Sequence, residues 1–238
     1  MGKKILIIGA TGSVGAALTR SLKKDSVDAH LVAKNKEEIS QLSDETGFKH
    51  TVSSVLDADY LEKISSDLKE EDIAGIAYCV GSIDLKPFNL VTKKDYIKCF
   101  ELNFFPVIDL IKKFLNGLKK NKASIVLFST IAVRQGFPNH SIISPVKASL
   151  EGLTISLASE LAPNVRVNCI APSLSKSKMA DKMFKNPKIT EAIAKQHPMR
   201  RLGEGKDSAE LAKFLLTEQS SWIIGQVIGV DGGRSTVG

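Results

Sequence analysis

Short apolar runs alternate with longer amphipathic stretches along most of the chain. A short apolar run bounded by turn residues predicts a buried strand, and apolar positions three or four residues apart predict a helix. The predicted strands are Lys4–Ile8, Ala29–Ala33, His50–Val52, Gly75–Val80, Ser124–Ser129, Arg166–Ile170 and Val227–Val230, and the predicted helices are Ala16–Lys24, Asp59–Ser66, Phe104–Leu118 and Val146–Leu161. This alternation is typical of βαβ units. We therefore expect an α/β fold with a doubly wound parallel sheet, three layers (α/β/α) and ligands at the carboxyl ends of the strands.

The segment from Pro172 to Gly205 interrupts this alternation. It holds three prolines, many lysines and one short helical stretch around Lys188–Lys195. A long insertion after the carboxyl end of a strand is a candidate substrate lid, here residues 173–205. A surface excursion without a function is the alternative. No other linker is visible, so we expect residues 1–238 to form a single domain.

The first apolar run ends in a glycine-rich turn. Gly9, Gly12 and Gly15 are spaced Gly-x-x-Gly-x-x-Gly, with Thr11, Ser13 and Val14 between them, and a helical pattern follows. Glycines let the backbone approach phosphates, and the first N–H groups of a helix bind their charge. The turn therefore predicts a site for the pyrophosphate of a dinucleotide. The alternative is a strand-turn-helix junction in which small residues serve close packing.

Composition narrows the class of protein. The formal net charge is +7, but the lysines are spread along the chain as pairs, and one Trp and three Tyr offer little base stacking, so we expect no nucleic-acid partner. No stretch approaches the ~20 apolar residues of a membrane helix. The three cysteines form no Cys-x-x-Cys pair, which predicts no metal site and favours a reducing compartment. We expect a cytoplasmic protein without a membrane partner.

Three further blocks carry a resemblance to a known family. They are Arg201-Leu-Gly-Glu-Gly205, the segment from Ser221 to Gly233 that ends Val-Asp-Gly-Gly, and Asn164-Val-Arg-Val-Asn-Cys-Ile-Ala-Pro172. With the glycine turn, they make the chain similar to the short-chain dehydrogenase/reductase family over nearly its full length. The resemblance implies a Rossmann-type fold, a nicotinamide cofactor, and a homodimer or homotetramer built through helices at about 103–118 and 146–161. Intramolecular core packing is the other explanation for the apolar faces of those helices.

The resemblance assigns cofactor roles residue by residue. Gly9, Gly12 and Gly15 match the phosphate turn, although the family more often has glycine at the Ser13 position. Lys34 follows Ala33, where an Asp would bind the ribose 2′-hydroxyl, so we expect NADP to be preferred over NAD. A merely solvated lysine is the alternative. The remaining positions that match cofactor-binding residues of the family are Ser54, Val55, Val80, Gly81, Pro172 and Ser177.

The catalytic positions of the family are only partly preserved. Its reaction needs a Tyr that exchanges a proton with the substrate oxygen, and a Lys one helical turn later. Lys147 matches the Lys, but Ile143 stands at the Tyr position. Thr130 occupies the position of the catalytic Ser, and Asn103 matches the Asn of the tetrad. Because isoleucine has no ionisable group, the usual proton donor is missing.

Two interpretations follow. The chain is an NADP-dependent oxidoreductase for a small carbonyl or alcohol substrate with weak or altered activity, or it is a non-catalytic NADP-binding sensor or oligomer partner. Loss of a positioned acid reduces a rate by roughly 10²–10⁴-fold, so activity can survive it. Candidate substitute donors are His140, Ser141, Ser144 and His197, and a candidate apolar substrate pocket is formed by Phe88, Phe137, Met179, Met183 and Phe184.

Overall fold

The predicted strands assemble into one parallel sheet. The structure is a computed structural model that describes residues 3–181 and 186–237. In this part of the chain, the strands are β1 (Lys4–Ile8), β2 (Ala29–Ala33), β3 (Lys49–Val52), β4 (Ile73–Tyr78), β5 (Ser124–Phe128), β6 (Arg166–Pro172) and β7 (Val227–Val230). The helices are α1 (Ser13–Lys24), α2 (Lys36–Thr46), α3 (Tyr60–Asp67), α4 (Lys93–Asn103), α5 (Phe105–Lys113), α6 (Leu115–Lys120), α7 (Ile143–Leu161), α8 (Pro187–Lys195) and α9 (Gly205–Leu216).

The strand order creates a crevice at the middle of the sheet. The order is β3-β2-β1-β4-β5-β6-β7, and each neighbouring pair is parallel. The chain runs outward from β1 to β3 and then returns to β4 on the other side of β1. Connections on the two sides lead to opposite faces, so a crevice opens beyond the carboxyl ends of β1 and β4.

Helices cover both faces of the sheet. One apolar cluster joins the sheet to α3, α5, α6 and α7 through side chains such as Ile64, Leu110 and Leu150. The other joins it to α1, α2 and α9 through side chains such as Leu18, Leu42 and Leu215. The expected three-layer α/β fold, doubly wound and of Rossmann type, is confirmed.

Four strands differ at their ends from the prediction. β3 begins one residue earlier, at Lys49, and β5 ends one residue earlier, at Phe128. β4 was expected at Gly75–Val80 but begins at Ile73, which is buried and pairs with Lys4, and it ends at Tyr78 opposite the last residue of β1. β6 extends to Pro172 because its final residues pair with β7. Val80 therefore lies in the loop beyond the sheet rather than in a strand.

The expected helix at residues 103–118 is wrong as a single element. Asn103 ends α4, and the helix after it is interrupted at Phe114, which separates α5 from α6. Gly117 packs so closely on Glu70 that a Cβ would overlap its carbonyl oxygen, and the Gly117 N–H donates to the Glu70 carboxylate at 2.9 Å. This contact between distant segments accompanies the change of direction, and sequence periodicity does not reveal it.

The length and the apolar content of the helices decide whether any of them could span a bilayer. Within residues 3–181 and 186–237, none is both long enough and apolar enough to cross a membrane.

Candidate active site

The turn after β1 is built from positions that exclude side chains. Gly9 has φ +82°, a conformation that favours glycine, and its N–H donates to the carbonyl of Val32 in β2 at 2.8 Å. A Cβ on Gly15 would overlap the carbonyl oxygen of Gly9. Helix α1 therefore begins directly against the end of β1, at the crevice.

The amino end of α1 is open to an anion. Gly12 is its N-cap residue, and no side chain within the described residues caps this end. The first turn, Ser13 to Gly15, contains no acidic residue. Free N–H groups and the positive end of the helix dipole suit a phosphate. The residues present therefore fit the pyrophosphate of a dinucleotide.

The loops after β2 and β3 carry Lys34, Ser54 and Val55, three of the residues that were predicted to bind the coenzyme. Ala33 is buried, and Lys34 after it is exposed, without an ion pair to any residue that the structure describes. The Ser54 N–H donates to the Asp57 carboxylate at 3.0 Å, and Val55 packs into the apolar core. The one cation that sequence reasoning placed here is thus free to meet a ligand.

Three residues from distant parts of the chain converge beyond the end of β4. A Cβ built on Gly81 would lie 3.2 Å from Lys147 Nζ and 3.3 Å from Asn103 Oδ1. Val80 packs against Gly9, whose Cβ would lie 2.9 Å from Val80 Cγ2. The structure therefore brings the glycine turn and two of the predicted catalytic positions to one end of the sheet.

Asn103 is held by a network of hydrogen bonds. Its Nδ2 donates to the Cys99 carbonyl at 2.9 Å and to Ser82 Oγ at 3.1 Å, while its Oδ1 accepts the Ser82 N–H at 3.3 Å. The Ser82 hydroxyl donates to the Asp84 carboxylate. Sequence reasoning missed Ser82 and Asp84, although their place directly after Gly81 was a usable signal.

Lys147 lies in α7, one helical turn after Ile143. Its Nζ donates to the Phe128 carbonyl at 2.9 Å, and burial lowers the pKa of the ammonium to about 8. Desolvation raises the pKa of two nearby thiols, to about 12 for the half-buried Cys79 and to about 11 for the buried Cys99. Near neutral pH the thiols are therefore protonated and Lys147 is the group closest to its titration range.

Thr130 follows β5 and faces a turn at Ile131–Val133. Its hydroxyl accepts the Ala132 N–H at 3.3 Å. The preceding Ser129 donates to Glu151 in α7 at 2.7 Å. Sequence reasoning missed this buried contact, whose only signal was the position of Glu151 one turn after Lys147. It fixes the end of β5 against the helix that carries Lys147.

Ile143 is the first residue of α7 and is only 5% exposed. It packs in an apolar cluster with Cys99, Ile142 and Val146, bordered by partly buried aromatic side chains of α4. The position predicted for the proton donor is therefore filled by core packing.

The predicted substitute donors have other partners, with one exception. His140 and Ser144 each bond to a backbone carbonyl, at 2.7 and 2.8 Å. His197 is almost fully buried, with Ser173 Oγ 2.8 Å from its Nε2 and a carbonyl 2.9 Å from its Nδ1. Ser141 Oγ is buried and has no hydrogen-bond partner within residues 3–181 and 186–237.

The predicted lid begins at the end of β6. Pro172 is the last strand residue, and Ser177 Oγ accepts the Ala180 N–H at 3.2 Å. A cavity of about 370 Å³ lies beside Ser173 and His197. Residues 182–185, which include the predicted pocket residues Met183 and Phe184, lie outside the described part of the chain.

Two of the described side chains that were predicted to form an apolar pocket are exposed. Phe88 is 74% and Met179 is 50% exposed. Phe137 instead packs against His140, with the Arg234 guanidinium 4.6 Å above its ring. Among the described residues there is also no cluster of three or more His, Cys, Asp or Glu side chains that could hold a metal ion.

Known proteins share this architecture over the whole chain. A chloroplastic tropinone reductase homolog of Arabidopsis thaliana is 30% identical over 247 residues, covering 100% of this chain and 77% of the relative. A 3-oxoacyl-[acyl-carrier-protein] reductase of Rickettsia felis is 30% identical over 239 residues, covering 99% and 98%. The structure of ElxO with NADP bound superimposes with a TM-score of 0.88 at 23% identity, covering 98% and 99%.

The doubly wound sheet with a glycine turn at its central crevice defines a Rossmann-type α/β protein. A family model described as enoyl-(acyl carrier protein) reductase matches residues 9–235. Together with the full-length relatives, this match shows that the chain belongs to the short-chain dehydrogenase/reductase family of oxidoreductases.

Proposed function

We propose that the chain is a nicotinamide-dependent oxidoreductase for a small carbonyl or alcohol substrate, with a weak or altered proton-transfer step. The observation that carries this proposal is the convergence of Gly81, Asn103 and Lys147 beside an open, uncapped α1. When bound, the coenzyme supplies or accepts the hydride.

The coenzyme would lie along the carboxyl edge of the sheet. Its pyrophosphate would meet the N–H groups at the start of α1, with adenosine toward β2 and nicotinamide toward β5 and β6. The proposed binding residues are Gly9, Thr11, Gly12, Ser13, Val14, Gly15, Lys34, Ser54, Val55, Val80, Gly81, Lys147, Pro172 and Ser177. We further propose that NADP is preferred over NAD, because Lys34 is an exposed cation and Ala33 offers no carboxylate to a ribose hydroxyl.

The proton-transfer step would rest on Lys147 and Thr130. The Thr130 hydroxyl lies at the end of β5, where it can orient a substrate oxygen. Lys147, with a pKa of about 8, is protonated at neutral pH and can donate a proton that Ile143 cannot. Asn103 and its partners hold the surrounding loop. The expected pH profile for carbonyl reduction falls above pH about 8, because Lys147 loses its proton there.

A titration and an assay test this proposal separately. Coenzyme binding is measured by the fluorescence of NADPH and NADH on addition of the protein, and NADPH is expected to bind more tightly. Turnover is measured as NADPH oxidation with a panel of aldehydes, ketones and quinones. Binding of neither coenzyme would overturn the proposal. Binding without turnover by the wild type or by Ile143→Tyr would overturn its catalytic part.

A second candidate is a non-catalytic NADP-binding protein that acts as a sensor or oligomer partner. The burial of Ile143 in an apolar cluster favours it, because this packing leaves no polar group at the usual donor position. Coenzyme binding with turnover restored only by Ile143→Tyr would support this candidate.

We also propose that the chain forms a homodimer or homotetramer. Phe105 of α5 and Ile155 of α7 are 48% and 58% exposed, so both helices present apolar side chains to the outside. Light scattering coupled to size exclusion is expected to give a multiple of the 25.8 kDa chain mass. Phe105→Glu is expected to reduce that mass, whereas a monomeric wild type would overturn this proposal.

A reducing location fits the cysteines. Cys79, Cys99 and Cys169 are free thiols, and the last two are buried. These thiols support the proposal of a cytoplasmic protein, which fractionation of cells that produce it would test.

A further inference from the structure

One ion pair joins the predicted lid to the opposite side of the crevice. Lys178 Nζ lies 2.6 Å from the carboxylate of Glu38, which belongs to the first turn of α2. The ammonium of Lys178 and, more weakly, the Thr11 side chain in the glycine turn hold the pKa of the Glu38 carboxyl below its usual value. The pair therefore ties together three segments that are distant in sequence.

The backbone of the lid crosses the glycine turn on its way to this pair. Ser13 Oγ donates to the Lys176 carbonyl at 3.0 Å, two residues before Lys178. The lid thus leaves the nicotinamide side at β6, passes over the start of α1 and reaches the adenosine side at α2. A dinucleotide bound along this edge would lie under the same segment.

The ion pair itself contributes little to the folded state. The Lys178 side chain is 79% exposed, and an exposed pair of this kind is worth little because water screens it. Its location is more informative than its energy. Lys34 directly follows β2, at the end of the strand where doubly wound folds distinguish a ribose 2′-hydroxyl from a 2′-phosphate. Glu38 lies four residues further along, in the first turn of α2.

The two lysines near the end of β2 differ in whether an acidic side chain already neutralises them. Lys34 is an exposed cation without an ion-pair partner among the described residues, whereas the carboxylate of Glu38 would repel a phosphate. Lys178 neutralises that carboxylate in the free protein. A phosphate with nearly two negative charges is a stronger partner for an ammonium than a single carboxylate.

We propose that Lys178 is a second specificity-determining cation, which faces the 2′-phosphate of the coenzyme together with Lys34. On binding of the coenzyme, the Lys178 ammonium either leaves Glu38 for the phosphate or contacts both groups. Residues 173–178 then lie over the phosphorylated coenzyme. This inference rests on the proposed function, because it requires that a dinucleotide binds in the crevice.

The test uses ligands that differ only in the 2′-phosphate. Calorimetric titrations of the full chain are run with NADPH, NADH, 2′,5′-ADP and 5′-AMP. Lys178→Met is expected to weaken NADPH and 2′,5′-ADP about fivefold, the range of an exposed charged contact, and to leave NADH and 5′-AMP unchanged. Lys178→Arg is expected to retain wild-type binding.

Two further variants sharpen the test. Glu38→Gln removes the competing carboxylate and is expected to tighten NADPH about threefold. Lys195→Met is the matched control, because Lys195 also lies in the lid and pairs with a glutamate, Glu191, at 2.7 Å, but within α8. It is expected to leave the affinities for all four ligands unchanged, and thermal melting confirms that each variant is folded.

The outcomes separate this inference from the function on which it rests. Equal losses of NADPH and NADH affinity in Lys178→Met, or no loss of either, would overturn the role of Lys178 while the proposed function stands. Failure of the wild-type chain to bind any of the four ligands would overturn the proposed function as well.

Discussion

The glycine turn and the start of α7 differ in how much of the expected chemistry they retain. At the turn, the constraints are steric: Gly9 has a positive φ, and Gly15 has no room for a Cβ. At α7, Lys147 lies one helical turn after Ile143, and the side chain of Ile143 takes part in core packing instead of offering an ionisable group. The two regions share one edge of the sheet.

Under the proposed function, coenzyme binding and proton transfer are therefore separable properties of the same crevice. The first depends on backbone geometry and free N–H groups, which a whole segment of chain defines. The second would depend on individual side chains, and a single substitution can change one of them. A chain can therefore keep the architecture of its family and change its chemistry.

Placing a phenol at position 143 is expected to give the largest effect. Ile143→Tyr is expected to raise the rate of carbonyl reduction by at least about 100-fold, because a positioned acid returns next to Lys147. Ile143→Phe adds the ring without the hydroxyl and is expected to give no gain. NADPH oxidation measures both, and equal rates for the two variants would contradict the assignment of position 143.

Adding one methyl group at the turn tests the other region. Gly15→Ala places a Cβ against the Gly9 carbonyl, and the forced shift is expected to destabilise the chain by about 2–3 kcal/mol and to weaken coenzyme binding. Gly152→Ala, in α7 with open space around it, is the control and is expected to be neutral or stabilising. Urea unfolding compares them. Equal unfolding midpoints for the two variants would show that a Cβ fits at Gly15 without a shift of the backbone.

The buried ammonium gives the next largest effect. The pKa of Lys147 is about 8 in the folded chain and 10.5 ordinarily, so between these values only the unfolded chain keeps the proton. The free energy of unfolding of the wild type is therefore expected to rise between pH 7 and pH 9.5 by about 2 kcal/mol more than that of Lys147→Met. Urea unfolding at both pH values measures this. Lys188→Met, at an exposed site, is expected to follow the wild type, and parallel pH curves for wild type and Lys147→Met would disprove the shift.

The smallest expected effect concerns coenzyme choice. Lys34→Met removes an exposed cation and is expected to weaken NADPH about fivefold with little change for NADH. Titrations in low and high salt check this, because the difference is expected to shrink as salt screens the charge. A similar loss for both coenzymes would place Lys34 outside the 2′-phosphate site.

Sequence patterns recovered the strands better than the helices. β1, β2 and β7 have the predicted bounds, because buried parallel strands are short apolar runs with clear ends. The helices α2, α4 and α9 were not predicted, since their apolar stripes are interrupted by polar residues. Their caps were readable signals: Asn35 accepts the Glu38 N–H, and capping boxes start α4 at Thr92 and α9 at Glu204.

The site was predictable where a motif is local and not where it is assembled by folding. The glycine turn and the spacing from Ile143 to Lys147 are visible in the sequence. The bond from Ser129 to Glu151 and the pair of Lys178 with Glu38 join residues 22 and 140 positions apart. Such contacts depend on how the strands and the lid pack, which periodicity does not contain.

The cluster around Ile143 also links the proposed function to the stability of the fold at a single position. Its aliphatic side chain fills space between α4 and α7 that a phenol would have to open toward the crevice. A hydroxyl introduced there would lie among these apolar side chains, at the expense of the packing between α4 and α7. A tyrosine codon at position 143 is therefore expected to lower the free energy of unfolding while it adds a proton donor.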